Sequence, residues 1–249
     1  MQSAGQSSLA TSIAGALDWW REAGVDADFS DTPQAWLSET EAAPNTPQRA
    51  AVVAPPAPPP VRIGGDAAGF PRALAAFAAW WLAEPSLDAG RTEDRVPPRG
   101  PADAALMVLV AHPEAEDRER LLSGPQGKLL DAMLRAMGIA PEAAYVASAL
   151  PRHAPHPDWT ALARDGLGEV LTHHIALAAP QRLIVFGANI LPLLGHDPAN
   201  SGGNSPGFNH EGRTMPLLPA MELGVLGANP RRKASFWQRW LEWTGTDAG

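Results

Sequence analysis

The sequence predicts an α/β protein: a three-layer sandwich with a short, mostly parallel four-stranded sheet and helices on both faces. Two observations lead to this fold class. Apolar runs with the length of buried strands recur along the chain, at residues 106–110, 145–150, 182–187 and 215–220. Between and after these runs, apolar residues recur every three or four positions, which is typical of amphipathic helices, at residues 126–137, 160–178 and 235–243.

The part of the chain before this core is organised differently. Residues 1–40 are predicted to contain one amphipathic helix that ends near Gly24. Its apolar positions follow helical spacing: Leu9, Ile13, Leu17 and Trp20. Residues 41–62 include a proline-rich run and are predicted to form an extended linker. Residues 63–249 then form the α/β domain, with its core at 104–243.

Two further segments of the α/β domain are predicted to be a helix and a loop. Residues 71–83 are predicted to form a helix that carries Leu74, Phe77, Trp80 and Trp81. The segment from Ala199 to Glu211 is rich in Gly, Asn and Ser, and we expect it to be a mobile loop.

Composition excludes several classes of protein. The 249 residues include no cysteine, so disulfides and thiol-ligated metals are excluded. No apolar run approaches the length of a membrane span, and the N-terminus lacks a signal-peptide pattern, so we expect a soluble, cytoplasmic protein without membrane association. The net charge of −8 argues against broad electrostatic attraction to nucleic acid. The dense basic cluster Arg231-Arg232-Lys233 could still bind phosphates locally.

The stretch from Ala104 to Gly138 marks a candidate site. The apolar run at 106–110 is followed by the acidic loop 111–117, and a glycine-rich turn at 123–127 then opens an amphipathic helix. Ligands of open α/β sheets bind just beyond the carboxyl ends of the strands. We therefore expect a site in this loop.

Several motifs occur in an order that resembles the uracil-DNA glycosylase superfamily, in particular its bacterial family 4/5-like branch. Gly124 and Gly127 match the glycine pair before the first long helix of that family, and Tyr145–Leu150 matches its second strand. Pro151–Pro155 matches the Arg/Pro-rich loop that follows, and Ala179–Gly187 matches the third strand. Asn229-Pro230 matches the C-terminal motif. The resemblance spans roughly residues 104 to 243. It implies the strand order 2-1-3-4, with the loops 111–124, 151–158 and 222–233 around one cleft.

The same resemblance implies that standard uracil excision is lost. The water-activating glutamate of the first motif falls on Ala111, the stacking aromatic residue on Leu122, and the base-reading asparagine on Ser148. The second motif falls on Glu222-Leu223-Gly224, which lacks its oxyanion-stabilising histidine. The implied nucleobase pocket consists of Ala111, Pro113, Leu122, Ser148 and Glu222, and the residues implied to contact the nucleic-acid backbone are Arg152, Asn229, Arg231, Arg232 and Lys233. Positions that match iron–sulfur ligands in relatives include Arg152 and Gly166, so we expect no cluster.

Two groups of histidines have alternative interpretations. His112 lies beside Glu114 and Glu116, and a carboxylate–histidine pair could perform general acid/base catalysis. The alternative is that this acidic loop is solvated surface. His153 and His156 lie three positions apart, but further ligands at convincing spacing are missing, so we predict no metal site and no cofactor.

Three functions therefore stay open. The first is a divergent member of the superfamily that binds DNA or a nucleobase in DNA repair without standard excision. The second is an active DNA glycosylase, an N-glycosyl hydrolase, that uses His112, Glu114 or Glu222 in new roles and prefers another base. The third is a protein-interaction module that docks on a partner through residues 9–37. The sequence leaves the recognised base and the oligomeric state open.

Overall fold

The computed structural model describes residues 9–24, 62–89, 91–196, 207–210 and 213–245. The chain divides into two compact units, Met1–Ala57 and Pro58–Gly249. The predicted linker 41–62 lies outside the described residues except for its last residue. No helix among the described residues is both long enough and apolar enough to cross a bilayer.

The described part of the first unit is the helix α1, Leu9–Glu22, which is followed by a turn that ends at Gly24. Gly24 has a φ of 80°, a left-handed conformation that glycine adopts without strain and that commonly ends a helix. The exposed large apolar side chains of this helix are Ile13, Leu17, Trp19 and Trp20. Residues 25–37 of the predicted partner-binding segment lie outside the described residues.

The second unit contains a five-stranded mixed sheet, which confirms the α/β class. Its strands are β1 (Met107–Val110), β2 (Tyr145–Ser148), β3 (Leu183–Phe186), β4 (Gly207–His210) and β5 (Arg213–Ala220), in the order β2-β1-β3-β5-β4. Neighbouring strands among β2, β1, β3 and β5 are parallel, and β4 is antiparallel to β5. The prediction of four strands was wrong because residues 207–210, expected in a mobile loop, pair with β5 and bury Phe208.

The parallel strands are buried on both faces of the sheet. Every residue of β1, β2 and β3 is buried, as expected for short apolar runs in a parallel sheet that is covered on both sides. Because side chains alternate along a strand, Val108 and Val110 join one buried cluster, and Met107 and Leu109 join the other.

Helices cover both faces of the sheet. They are α2 (Leu74–Ala83), α3 (Pro125–Ala136), α4 (Trp159–Arg164), α5 (Leu167–Ala178), α6 (Leu223–Ala228) and α7 (Pro230–Gly245), with 3₁₀ turns at 67–69, 85–88, 141–143 and 188–194. Side chains of α3, α6 and α7 pack in the first cluster, and those of α5 pack in the second. The helix predicted at 160–178 is broken at Gly166, which has a φ of 101°. The short helix α6 was not predicted.

The carboxyl ends of four strands lie side by side. In the register of the sheet, Val110 of β1 pairs with Ser148 of β2 and with Phe186 of β3, which in turn pairs with Ala220 of β5. The loops that follow these four residues therefore begin at one edge of the sheet, which we call the carboxyl edge.

Candidate functional site at the carboxyl edge

The loop after β1 is organised by a buried carboxylate that we did not single out from the sequence. Asp117 is 1% exposed. Its Oδ2 atom accepts hydrogen bonds from the backbone N–H of Glu114 and of Leu122, both at 2.8 Å. Its Oδ1 atom accepts from the N–H of Ser123 at 2.8 Å and from the Ser123 hydroxyl at 2.6 Å. These four bonds hold the two ends of the loop together.

The carboxylate of Glu114 lies at the N-terminus of α3. Its Oε2 atom accepts from the N–H of Gly124 at 3.0 Å and of Gly127 at 3.3 Å, and its Oε1 atom accepts from the N–H of Gln126 at 3.0 Å. Free N–H groups at a helix N-terminus are a ready binding site for anions. Here these three groups are occupied by the protein's own carboxylate.

The turn between this loop and α3 depends on close backbone contact. A Cβ atom on Gly127 would lie 1.8 Å from the carbonyl oxygen of Leu122, so only glycine fits there. Leu122 has a φ of 56° and is 3% exposed, and its side chain belongs to the first buried cluster. The structure therefore places Leu122 in the core rather than on the open wall of a pocket.

His112 contacts a histidine from the loop after β2. The ring centroids of His112 and His153 are 4.7 Å apart and the rings are almost perpendicular. The Nδ1 atoms of both rings lie 2.9 Å from the carbonyl oxygen of Pro113. Since a carbonyl only accepts, each Nδ1–H donates to it, and in the neutral rings the lone pair is on Nε2. His112 and Glu114, predicted as a catalytic pair, thus have separate partners.

The other residues of the predicted nucleobase pocket do not all face one opening. Ala111, Pro113 and Ser148 are buried, and the Ser148 hydroxyl donates to the Leu150 carbonyl at 2.7 Å. Glu222 is exposed. It lies beside the end of β3, since a Cβ atom on Gly187 would be 3.6 Å from the Glu222 Cγ atom.

The predicted basic cluster forms the first turn of α7. Asn229 caps this helix, because its Oδ1 atom accepts from the N–H of Arg231 at 3.1 Å and of Arg232 at 3.2 Å. Arg231 and Arg232 are exposed, and Lys233 is half-buried. The Arg232 guanidinium lies 2.8 Å from the sulfur of Met221, which follows β5 directly. The basic turn is therefore at the carboxyl edge.

Arg152 differs from these three basic residues because it has an acidic partner. Its guanidinium forms an ion pair with Asp88 through two nitrogens, with 3.2 Å between Nη2 and Oδ1 for one of the two bonds. The hydrogen bond with Asp88 raises the pKa of Arg152. Within the described ranges, Arg231, Arg232 and Lys233 form no ion pair.

Together, the edge offers a histidine pair, an exposed carboxylate and a basic helix N-terminus. Where the structure describes the chain, no three His, Asp or Glu side chains are grouped to hold a metal ion. Sequence reasoning missed the role of Asp117 and the contact of His153 with His112. Asp117 is one of three acidic residues in the loop 111–117, so residue type alone does not single it out.

No protein-family model matches the chain, and no similar protein was found among curated proteins.

Proposed function

We propose that the protein is a divergent member of the uracil-DNA glycosylase superfamily that binds DNA at the carboxyl edge and has lost standard uracil excision. The observation that carries DNA binding is the basic first turn of α7, formed by Arg231, Arg232 and Lys233 without acidic partners in the described structure. The resemblance in motif order supports the family. The parallel strands β2-β1-β3-β5 follow the implied order, to which β4 is an addition.

The position of these cations is unfavourable for stability alone. The N-terminus of a helix carries a partial positive charge, so acidic side chains stabilise it and basic ones destabilise it. Three basic side chains in the first turn of α7 therefore raise the local positive potential, while the backbone N–H groups of Arg231 and Arg232 are already bound by Asn229. Phosphate groups of a nucleic-acid backbone are suited to such a surface.

The loop after β1 supports the loss of excision. Excision of uracil requires preorganised donors that stabilise charge on the departing base, and a ring that stacks on it. The N–H groups of α3 are occupied by Glu114, and Leu122 is in the core. The Ser148 hydroxyl is engaged by the backbone of Leu150.

Binding of labelled single- and double-stranded DNA at several salt concentrations tests the proposal. We expect the double variant R231A/R232A to bind several-fold more weakly and to lower the salt slope by about 1 for each lost phosphate contact. The matched control is R135A/R239A, which removes two exposed arginines elsewhere on α3 and α7. Equal losses in both double variants would show only a general charge effect and would contradict a site at α7.

The contact between His112 and His153 favours a second candidate, an active glycosylase with relocated catalytic groups. Two imidazoles with Nε2 as the free nitrogen could exchange protons with a bound base. Oligonucleotides that carry uracil, hypoxanthine or xanthine test it. Cleavage by the wild type that is abolished in H112A/H153A would establish this candidate. Cleavage of none of them, together with salt-dependent binding, is the result we expect.

A further inference from the structure

A cavity that shares no lining residue with α7 lies between the 3₁₀ turn at 85–88, the loop 150–157 and α4. Its volume is about 860 Å³, which is in the range of small-molecule sites. Apolar side chains line much of it: Ile63, Leu87, Leu150, Ala154, Ala161 and Leu162. Of these, Leu87 and Leu150 are buried, so part of the wall belongs to the packed interior.

The polar side chains of this cavity are predominantly acidic. Four carboxylates line it, Glu84, Asp88, Asp158 and Asp165, against the single guanidinium of Arg152. Asp88 accepts from the Nε and Nη2 atoms of Arg152, so the charge of this guanidinium is already balanced by a carboxylate. Asp165 pairs with Arg164, whereas Glu84 and Asp158 form no ion pair among the described residues.

The two carboxylates without an ion pair are held in place by hydrogen bonds. Hydrogen bonds from the Ser86 hydroxyl and N–H lower the pKa of Glu84. The Asp158 Oδ1 atom accepts from the N–H of Ala161 at 2.9 Å and caps α4. Both side chains therefore have fixed positions at the wall of the cavity.

We propose that this cavity binds a small organic cation with an apolar body, an amphipathic amine. The apolar body of the ligand packs against the apolar wall, and its ammonium group forms ion pairs with the carboxylates. An anion of the same shape is rejected because the acidic side chains outnumber the one guanidinium, which is already paired. This proposal does not rest on DNA binding by the basic turn of α7, whose residues do not line the cavity.

Calorimetric titration with naphthylethylammonium, naphthylethanol and naphthylacetate tests the charge preference. We expect the ammonium compound to bind, the alcohol more weakly, and the carboxylate at least about tenfold more weakly than the ammonium compound. Equal affinity for the three compounds, or no binding of the ammonium compound at millimolar concentration, would overturn the proposal.

Two variants locate the site. D158N keeps the cap of α4, since asparagine is also a good N-cap, but removes the charge, and we expect it to weaken ammonium binding about threefold or more. The second variant, A161W, places a large side chain in the cavity and should abolish binding of the ammonium compound. T160W, which changes an exposed neighbour on α4 outside the lining, is its control. If A161W binds the ammonium compound as T160W does, the proposal is wrong. Circular dichroism verifies that each variant is folded.

Discussion

At the scale of single residues, His174 is the group whose protonation the fold opposes most clearly. It is 1% exposed, its Nε2 atom lies 2.7 Å from the Tyr145 hydroxyl, and its ring stacks on Phe77 with 4.1 Å between centroids. Burial, together with the adjacent His173, lowers the pKa of His174 to about 3. The folded protein therefore binds a proton at this ring much more weakly than the unfolded chain does.

This difference predicts an acid-sensitive stability. Below the ordinary histidine pKa of about 6.5, His174 is protonated in the unfolded chain but not in the folded state. The free energy of unfolding therefore falls as pH falls toward 3. The contribution of His174 is at most roughly 1.4 kcal/mol per pH unit. H174Q, which keeps a partner for Tyr145 but does not titrate, should show a shallower loss in urea unfolding between about pH 6 and about pH 4. H156Q, at an exposed histidine, should behave as the wild type.

At the scale of elements, the loop after β1 and the helix α3 form one unit through Glu114. Removing its carboxylate in E114A leaves three N–H groups at the helix start without their partner. We expect the free energy of unfolding to fall by about 1–3 kcal/mol, measured by chemical denaturation. E116A, at an exposed glutamate of the same loop, should change it by less than about 0.5 kcal/mol. A loss in E116A as large as that in E114A would show that general charge, and not the cap, is responsible.

In the same unit, replacing Gly127 by alanine should have the opposite effect on stability from the one that helix propensity predicts. Alanine is the better helix former by about 1 kcal/mol, yet G127A should destabilise the protein by more than about 2 kcal/mol. The reason is that its Cβ atom would overlap the Leu122 carbonyl oxygen, which is 1.8 Å away. G224A in α6, whose nearest neighbour atom would be 3.9 Å away, is the matched substitution and should be neutral or slightly stabilising in thermal unfolding.

At the scale of the whole molecule, the sheet and its covering helices lie within residues 58–249. The three buried clusters described for the chain also lie there. A fragment that begins at Pro58 should therefore fold by itself, with a thermal midpoint within about 3 °C of the full chain. A fragment that is unfolded by circular dichroism would mean that residues 1–57 are needed for folding.

The sequence allowed most of this architecture to be predicted, because buried parallel strands are short runs of Val, Ile and Leu that stand out between helical patterns. The expected strand at 182–187, for example, is β3, Leu183–Phe186. Strand β4 could not be predicted, since Gly207 and Asn209 are weak strand formers and only pairing with β5 makes them extended. Tertiary contact also decides that α6 forms, as Leu223 and Leu226 pack in the core.

The candidate site was predicted less well, because hydrogen bonds across a loop leave little trace in residue spacing. The position of His112 at the carboxyl edge follows from the strand that precedes it. Its contact with His153 depends on how two loops fold against Pro113, which no local pattern encodes. In the same way, Glu114 and Asp117 are both acidic loop residues in the sequence. Only the structure shows that Glu114 caps α3 and that Asp117 is buried and binds the backbone of the loop.

The bonds accepted by Asp117 have a consequence for how this loop exchanges hydrogen with solvent. Loops at the ends of strands usually exchange their amide protons rapidly in deuterated water. Here the N–H groups of Leu122 and Ser123 are held by a carboxylate that is itself buried, and those of Gly124, Gln126 and Gly127 are held by Glu114. Residues 122–124, which precede α3 and belong to no strand or helix, should therefore retain their amide protons as long as a strand of the sheet does.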